Sequence, residues 1–209
     1  YEKTTSYGKG TAIGPGAILE ALHYVDFFDE ETEKEVCFDI GIAAIEPMKF
    51  GKLSGKKALE LIYRNVDEHI KNGKFVITLG GEHSISTAPI QCKEEFEFIK
   101  ANGINTFYAF QMRNEGFDSN LIEKILGTLK KNVYITFDVD YFDPSIMPST
   151  GTPEPNGFYW DETMRLLKKV CADRNLVGFD VVELAPQKNY TFPDFLTAKL
   201  IYKILNYKF

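Results

Sequence analysis

The sequence predicts an α/β fold with a mostly parallel sheet, and three observations lead to this prediction. The apolar runs at 74–79, 133–138 and 177–182 are nearly continuous, as in strands that are covered on both faces. Helical patterns lie between the strands, and such alternation is typical of parallel sheets. Each run ends in glycines or acidic residues, and the carboxyl ends of parallel strands meet at one edge, where ligands bind.

The first part of the chain follows this alternation. A glycine-rich opening turns into a helical pattern, and a second helical pattern stops at Asn72-Gly73, a C-terminal signal. The predicted elements are a helix over 17–25, a strand over 35–43, a helix over 56–73 and a strand that begins at 74 and ends in Gly80-Gly81.

The middle of the chain interrupts the alternation. A short helix predicted over 85–91 runs directly into another over 92–103, so a strand is missing between them. The elements predicted after this point are a weak strand over 104–110, a helix over 120–132, a strand over 132–140, a helix over 161–174, a strand over 175–186 and a helix over 192–208.

The length and composition of the chain limit the classes of protein to which it can belong. The 209 residues suffice for one domain, with 44% hydrophobic and 26% charged residues. The net charge of −6 argues against nucleic acid or an anionic membrane as a partner. No apolar run approaches the roughly 18 residues of a membrane span, and the N-terminus lacks the apolar core of a signal peptide. Cys37, Cys92 and Cys171 form no CxxC pair, so we expect a reduced, cytoplasmic protein.

Two acids at the end of the 132–140 run indicate a cation site. In an extended strand, Asp138 and Asp140 would point to the same face and repel each other unless a proton, a cation or a metal intervenes. His83, presented by the preceding glycines, could add a nitrogen ligand. A His/Asp set without cysteine suits Mn, Mg, Fe or Zn, with Mn or Mg favoured. The alternative is that such acids only cap turns, and we assign this role to Asp143, which precedes Pro144.

Glu183 is a further candidate because it follows the buried run at 177–182. A carboxylate there needs a cationic partner, which a metal, a lysine or a guanidinium substrate would each provide. The glycines before His83 could instead cradle a phosphate, but no GxxxxGK[ST] pattern follows them. His23 and His69 lie within helical patterns and are predicted to be surface or packing residues.

Taken together, four segments resemble the ureohydrolase family of arginases and agmatinases. They are TTSYGKGTAIGPGAILEA (4–21), GGEHS (80–84), DVDYFDPSIMPSTGTPEPNG (138–157) and GFDVVELAP (178–186). The ending GTPEPNG is more similar to agmatinases than to arginases, although agmatinases commonly have a glycine where Asn156 stands. The resemblance implies a three-layer α/β/α sandwich with a mostly parallel sheet.

The resemblance also implies a reaction and its residues. Two manganese ions would activate a shared hydroxide that attacks the guanidinium carbon of agmatine, giving putrescine and urea. By carry-over, His83 would bind one ion, Asp140 the other, and Asp138 would bridge both. Glu183 would pair with the guanidinium, and Thr152 would lie near the substrate. The partner is then a small cationic guanidino compound, and family members usually form trimers or hexamers, so we expect a homo-oligomer.

One family motif is absent from the sequence. The family has a second motif, Asp-Ala-His-x-Asp, that supplies three of the six metal ligands, and this chain has no such motif. It would belong between Gln91 and Cys92, where the missing strand was inferred on independent grounds. We therefore interpret 1–209 as a single ureohydrolase domain that lacks segments there and before Tyr1.

Two explanations for the missing motif stay open. Either the sequence joins segments of an ordinary enzyme, or the protein lacks half of its metal site. We favour the first, because deleting a central strand would leave gaps in a buried sheet.

Several other functions stay open as well. Within the family, the substrate could be arginine, formiminoglutamate or another guanidino compound. Outside catalysis, the chain could be a non-catalytic relative. Phosphotransferases and glycosyltransferases also use an Asp-x-Asp pair after a strand, but neither class accounts for GGEHS and DVVELAP.

Overall fold

The computed structural model describes residues 1–3, 5, 7–85 and 93–209, and in the fourth helix the side chains only from residue 97 onward. The strands are β1 (Val76–Leu79), β2 (Asn132–Asp138) and β3 (Asn175–Val182). The helices are α1 (Gly14–Leu22), α2 (Val36–Ile40), α3 (Lys56–Lys71), α4 (Lys93–Ala101), α5 (Ala109–Glu115), α6 (Ser119–Thr128), α7 (Trp160–Asp173) and α8 (Phe192–Lys208), with short 3₁₀ turns at Thr11–Ile13, His83–Ile85 and Val139–Tyr141.

The described strands form one parallel sheet in the order β1-β3-β2, which confirms the predicted α/β class with a parallel sheet. β3 lies in the centre, with Asp180 opposite Thr78 of β1 on one side and Thr136 of β2 on the other. Since all three strands run the same way, their carboxyl ends lie at the same edge.

The two faces of this sheet differ in chemistry. Phe137, Phe179 and Val181 point to one face and belong to the main hydrophobic core. Thr136 and Asp180 point to the other face, because side chains alternate along a strand. The runs that look uniformly apolar in the sequence therefore have one apolar face and one partly polar face.

The C-terminal helix α8 is central to the core. Its residues from Leu196 to Asn206 are almost all buried, and it packs against both α1 and α7. Ile18 of α1, Leu167 of α7 and Leu200 of α8 belong to the same buried cluster as the sheet residues. Truncating one such leucine to alanine would cost about 2–5 kcal/mol.

Two predicted strands are wrong. Within residues 35–43, Val36–Ile40 form the short helix α2, which ends where Gly41 adopts φ 68°, and residues 41–43 have no regular secondary structure. Residues 104–110 form a loop that enters α5. A strand persists only when a neighbour pairs with its backbone, and the sheet of the described residues offers neither segment a partner.

The remaining predicted helices and strands match within a few residues. The helix predicted over 85–91 lies almost entirely outside the described residues, as does the point between Gln91 and Cys92 where a segment is predicted to be missing. Cys37 and Cys171 are free thiols. No helix in the described ranges is long and apolar enough to cross a membrane.

A buried ion pair ties α8 to the loop before α2. The Lys203 ammonium lies 3.0 Å from the Asp29 carboxylate and also contacts Glu31, and both Lys203 and Asp29 are buried. Burial would raise the pKa of Asp29, but Lys203 and Thr32 together hold it below its ordinary value. The charge on Asp29 is therefore retained because Lys203 is present.

We predict that Lys203→Met lowers the free energy of unfolding by about 3–5 kcal/mol, because it leaves Asp29 buried without its cation. The matched control is Lys168→Met, since Lys168 also pairs with Glu31 but is 54% exposed; its loss should be about 1 kcal/mol or less. Urea denaturation measures both, and equal effects of the two variants would contradict this account.

Candidate functional site

The candidate site lies at the carboxyl edge of the sheet. His83 follows β1, Asp138 ends β2, and Glu183 follows β3. The His83 Nδ1 atom lies 2.7 Å from the Asp138 Oδ2 atom, and the backbone N–H of His83 donates to Glu183 at 2.6 Å. Asp140 and Thr152 adjoin this group, so the structure brings the five residues named from the sequence together.

The two glycines before His83 are required by close packing. A Cβ on Gly80 would lie 2.7 Å from the Val182 side chain, and one on Gly81 would collide with the carbonyl of Tyr1. That carbonyl accepts a hydrogen bond from the N–H of Glu82 at 3.0 Å. Side chains larger than hydrogen would therefore push the turn that carries His83 away from β3.

Both ring nitrogens of His83 are engaged. Its Nδ1 atom faces Asp138, and its Nε2 atom lies 3.3 Å from the hydroxyl oxygen of Thr136. The ion pair with Asp138 outweighs burial and raises the pKa of His83, so the protonated ring is favoured. A metal that bound Nδ1 would have to displace this proton and this contact.

A hydrogen-bonded group behind His83 was missed by the sequence analysis. Thr136 donates to the Asp180 Oδ1 atom at 2.7 Å, and the Tyr134 hydroxyl donates to Asp180 Oδ2 at 3.0 Å. The only signal in the sequence was the acid of GFDVV within an apolar run. These contacts limit the orientations that Thr136 can adopt beside the imidazole.

The geometry at Asp140 differs from the predicted extended strand. β2 ends at Asp138, and the chain turns at Val139–Tyr141, with the Asp140 N–H donating to Asp138 Oδ1 at 3.0 Å. The acid at the strand end caps this turn, which is why the extended backbone stops there. The turn still leaves the two carboxylates next to each other.

The closeness of the two carboxylates changes the pKa of Asp140 in particular. Burial, followed by the charge of Asp138 and a hydrogen bond shared with it, raises the pKa of Asp140 to about 7. The Thr152 hydroxyl donates to Asp140 Oδ2 at 3.0 Å and partly opposes this shift. The pair therefore holds a proton up to neutral pH unless a cation replaces it.

Glu183 is held in an unusual backbone conformation. Its φ is 67°, a region that residues other than glycine rarely occupy, and its N–H donates to the Gly81 carbonyl at 2.8 Å. Burial raises the pKa of its carboxyl, and the N–H of His83 lowers it in part. Strain of this kind persists where the surrounding structure fixes a side chain for a task.

Residues 143–157, here called the site loop, carry Thr152 to Asp140. Asp143 accepts hydrogen bonds from the backbone and hydroxyl of Ser145 and from the N–H of Asn156. The geometry gives Asp143 the turn role that was predicted for it. Asn156 has φ 67°, a conformation that glycine favours and asparagine tolerates, so the side chain here is compatible with the turn.

The glycine-rich opening supports the same loop. A Cβ on Gly8, whose φ is 65°, would lie 2.6 Å from the Cα of Gly151. The two backbones therefore pack directly, next to Thr152. This contact gives the opening segment a structural role in shaping the site.

Three carboxylates share the site with a single histidine, His83, in the part of the chain that the structure describes. Asp138, Asp140 and Glu183 are all partly buried, and burial, together with the charge of Asp138, raises the pKa values of Asp140 and Glu183. Among the residues that the structure describes, neither lysine nor arginine forms an ion pair with them. The site is therefore suited to a cation, whether a metal ion or an organic one.

The donors fit a manganese site in kind but not in number. His83, Asp138 and Asp140 offer imidazole nitrogen and carboxylate oxygen, which suit manganese. Within the described ranges, no cluster of three or more His, Cys, Asp or Glu side chains is arranged to hold a metal ion. The part of the chain described here does not by itself form a two-metal centre.

Comparison with known proteins decides the family. The model of the arginase family matches residues 1–94 and 90–206 of this chain. The chain belongs to the arginase family. The resemblance seen in the sequence is thereby confirmed, and so is the fold class.

Similar proteins include two ureohydrolases and one solved structure. The N(1)-aminopropylagmatine ureohydrolase of Synechocystis is 29% identical, covering 99% of this chain and 86% of that protein. The agmatinase of Bacillus anthracis is 27% identical, covering 88% and 80%. The agmatine ureohydrolase of Thermoplasma volcanium superimposes with a TM-score of 0.84 at 22% identity, covering 98% of this chain and 86% of that one.

The family match is divided into two parts near the middle of the chain. The family matches in two segments that meet at residues 90–94. The alignment with the Synechocystis enzyme spans 266 positions, which exceeds the 209 residues of this chain. That relative therefore contains residues that have no counterpart here.

We predict that the metal-free protein loses stability as pH rises from about 4 to about 7. The folded state keeps the Asp140 proton up to about pH 7, whereas the unfolded state releases it near the ordinary value of 3.8. Allowing for partial exposure, we expect a decrease of about 2 kcal/mol. Urea denaturation in the presence of a chelator measures it.

Asp140→Asn should remove most of this decrease, because the amide carries no charge at any pH, and Glu183 and His83, whose pKa values are also raised, account for the remainder. Asp143→Asn is the control, since hydrogen bonds from Ser145 lower the pKa of Asp143 and its contribution has the opposite sign, being lost as pH falls. An unchanged pH dependence in Asp140→Asn would show that another group holds the proton.

Proposed function

We propose that the complete protein is a ureohydrolase that cleaves the guanidinium group of agmatine, releasing urea and putrescine. The observation that carries this proposal is the set of three carboxylates at the sheet edge, which pairs with His83 but with no lysine or arginine among the described residues. Membership of the arginase family supports the reaction class. Agmatine carries a guanidinium cation, which a carboxylate of such a site can bind.

In this proposal Glu183 binds the guanidinium. A carboxylate can accept two parallel N–H donors from a planar guanidinium, and burial strengthens that contact. The fixed backbone of Glu183 and its bond from the His83 N–H hold the carboxylate in place before the substrate arrives. Thr152, held on Asp140, closes the site on the side of the site loop.

We also propose that the complete enzyme holds two manganese ions, with His83, Asp138 and Asp140 among their ligands. Manganese would supply an activated water at neutral pH. The raised pKa of Asp140 shows how strongly the pair of carboxylates favours a positive partner. The other ligands would come from residues outside those described, or from the segment that the sequence lacks between Gln91 and Cys92.

The missing segment is itself part of the proposal. The two-part family match and the long alignment support an insertion near Gln91 in the uninterrupted protein. The alternative is a non-catalytic relative with an incomplete metal site.

A homo-oligomer and a cytoplasmic location stay predictions. Light scattering would test the oligomeric state, and cell fractionation would test the location.

N(1)-aminopropylagmatine is the second candidate substrate. The Synechocystis enzyme named for it is 29% identical over 99% of this chain, while the agmatinases of Bacillus anthracis and Pyrococcus horikoshii are 27% and 23% identical over 88% and 98%. The two substrates share the guanidinium and differ in the amine at the other end. Glu183 would act in the same way on both.

We predict urea release from agmatine by the protein of the uninterrupted gene after loading with manganese. N(1)-aminopropylagmatine and arginine are assayed in parallel. Urea from the aminopropyl compound alone would move the assignment to the second candidate. Bound manganese without urea would point to another guanidino substrate, and neither urea nor manganese binding would favour the non-catalytic relative.

Glu183→Gln should lower kcat/KM by at least about 100-fold, because the amide loses the charge that pairs with the guanidinium. Glu123→Gln is the matched control, since Glu123 pairs with Lys169 on the exposed surface. Equal activity of both variants and the unaltered protein would remove Glu183 from the binding site.

A further inference from the structure

The two ends of the site loop meet in a narrow neck. Phe142 and Phe158 pair as a short parallel bridge, with the Asp143 N–H donating to the Phe158 carbonyl and the Phe158 N–H donating to the Tyr141 carbonyl, each at 3.0 Å. A Cβ on Gly157 would lie 2.5 Å from the Phe142 carbonyl carbon. The neck therefore has no spare room for a side chain at Gly157.

Arg113 of α5 holds the neck from outside. Its Nη1 atom lies 2.7 Å from Glu162 Oε1, and its Nη2 atom donates to the Gly157 carbonyl. The guanidinium also lies over the Phe158 ring, 4.6 Å from its centroid. Arg113 is thus the point where a separate helix is joined to the site loop.

Glu162 connects the same contact to α7. Its Oε1 atom pairs with Arg113, while its Oε2 atom accepts the N–H of Tyr159 at 2.9 Å. The Arg113 and Glu162 side chains are only 20% and 17% exposed, so solvent screens the pair weakly. One guanidinium thereby fixes α5, the end of the site loop and the start of α7 relative to one another.

The neck is connected to the substrate side by a stiff stretch of chain. Between Thr152 and Gly157 the sequence is Pro153-Glu154-Pro155-Asn156, and each proline fixes its φ near −65°. The stretch ends at Thr152, whose hydroxyl donates to Asp140. Because the two prolines restrict this stretch, a shift at Gly157 would be passed in part to Thr152.

We propose that Arg113 is a positioning residue that holds the site loop, and with it Thr152, against the carboxylates of the site. The role requires a planar fork with two donors, one for Glu162 and one for the Gly157 carbonyl, in addition to the ring contact. A lysine at position 113 could form the ion pair with Glu162, but it could not at the same time donate to the Gly157 carbonyl and cover the Phe158 ring. The kinetic consequence rests on the proposed function, whereas the structural one does not.

Amide hydrogen exchange followed by mass spectrometry tests the structural role. In Arg113→Ala, exchange in the peptide that contains Asn156 and Phe158 should be faster by about tenfold or more, and in Arg113→Lys by an intermediate factor. The peptide of β2 should be unchanged. Trp160, the single tryptophan, adjoins the neck. The wavelength of its fluorescence emission should therefore shift more in Arg113→Ala than in Arg113→Lys.

Arg174→Ala is the matched control. Arg174 is also an arginine that donates to a backbone carbonyl, that of Leu126 at 2.6 Å, but it lies at the start of β3, at the opposite end of the sheet. The Arg174→Ala variant should leave amide hydrogen exchange in the site loop unchanged. Unaltered loop exchange in Arg113→Ala, equal exchange in Arg113→Lys and the unaltered protein, or faster exchange throughout the chain would each overturn the proposal.

Kinetics of the manganese-loaded full protein separate this role from a general loss of stability. Arg113→Lys should raise KM for agmatine about tenfold with kcat within about twofold, because Thr152 contributes to binding in both the ground and the transition state. A fall in kcat at constant KM would overturn it. If the unaltered protein releases no urea, the proposed function fails, and hydrogen exchange still decides whether Arg113 positions the loop.

Discussion

Repulsion among Asp138, Asp140 and Glu183 is the constraint on which the rest of the site depends. Three carboxylates in one partly buried space are tolerated only with a proton or a cation between them. Short contacts offset part of this repulsion, since His83 faces Asp138 and the Thr152 hydroxyl donates to Asp140. The raised pKa of Asp140 shows that these contacts do not suffice, so the site stays suited to a cation.

The central strands could be predicted from the sequence, because each is an apolar run long enough to be a buried strand and ends in residues that a buried strand would exclude. The strands predicted at 35–43 and 104–110 failed for a different reason. A local pattern records a preference for extended backbone, whereas a strand also needs a neighbour, and that neighbour is set by the whole chain. In the described sheet, β1 and β2 have only β3 beside them.

At the site, residue identities were predictable and conformations were not. His83, Asp138, Asp140, Thr152 and Glu183 stand in recognisable segments, and the structure gathers them. The positive φ of Glu183 accompanies a hydrogen bond to a distant residue, the Gly81 carbonyl, and the turn after Asp138 is capped by the Asp138 side chain itself. Arg113 had no sequence signal, because its partners lie more than 40 residues away along the chain.

The surfaces of the described residues bear on whether a segment is missing. Leu59, Tyr63 and Ile70 of α3 are 41%, 67% and 54% exposed, and Tyr134 of β2 is 52% exposed. Leu59, Tyr63 and Ile70 lie along an amphipathic helix, and the apolar side of such a helix is normally covered by a sheet or another helix. An inserted segment near Gln91 would supply both a cover for such surfaces and the absent metal ligands. One insertion would therefore account for two separate deficits, whereas a degenerate metal site would account only for the second.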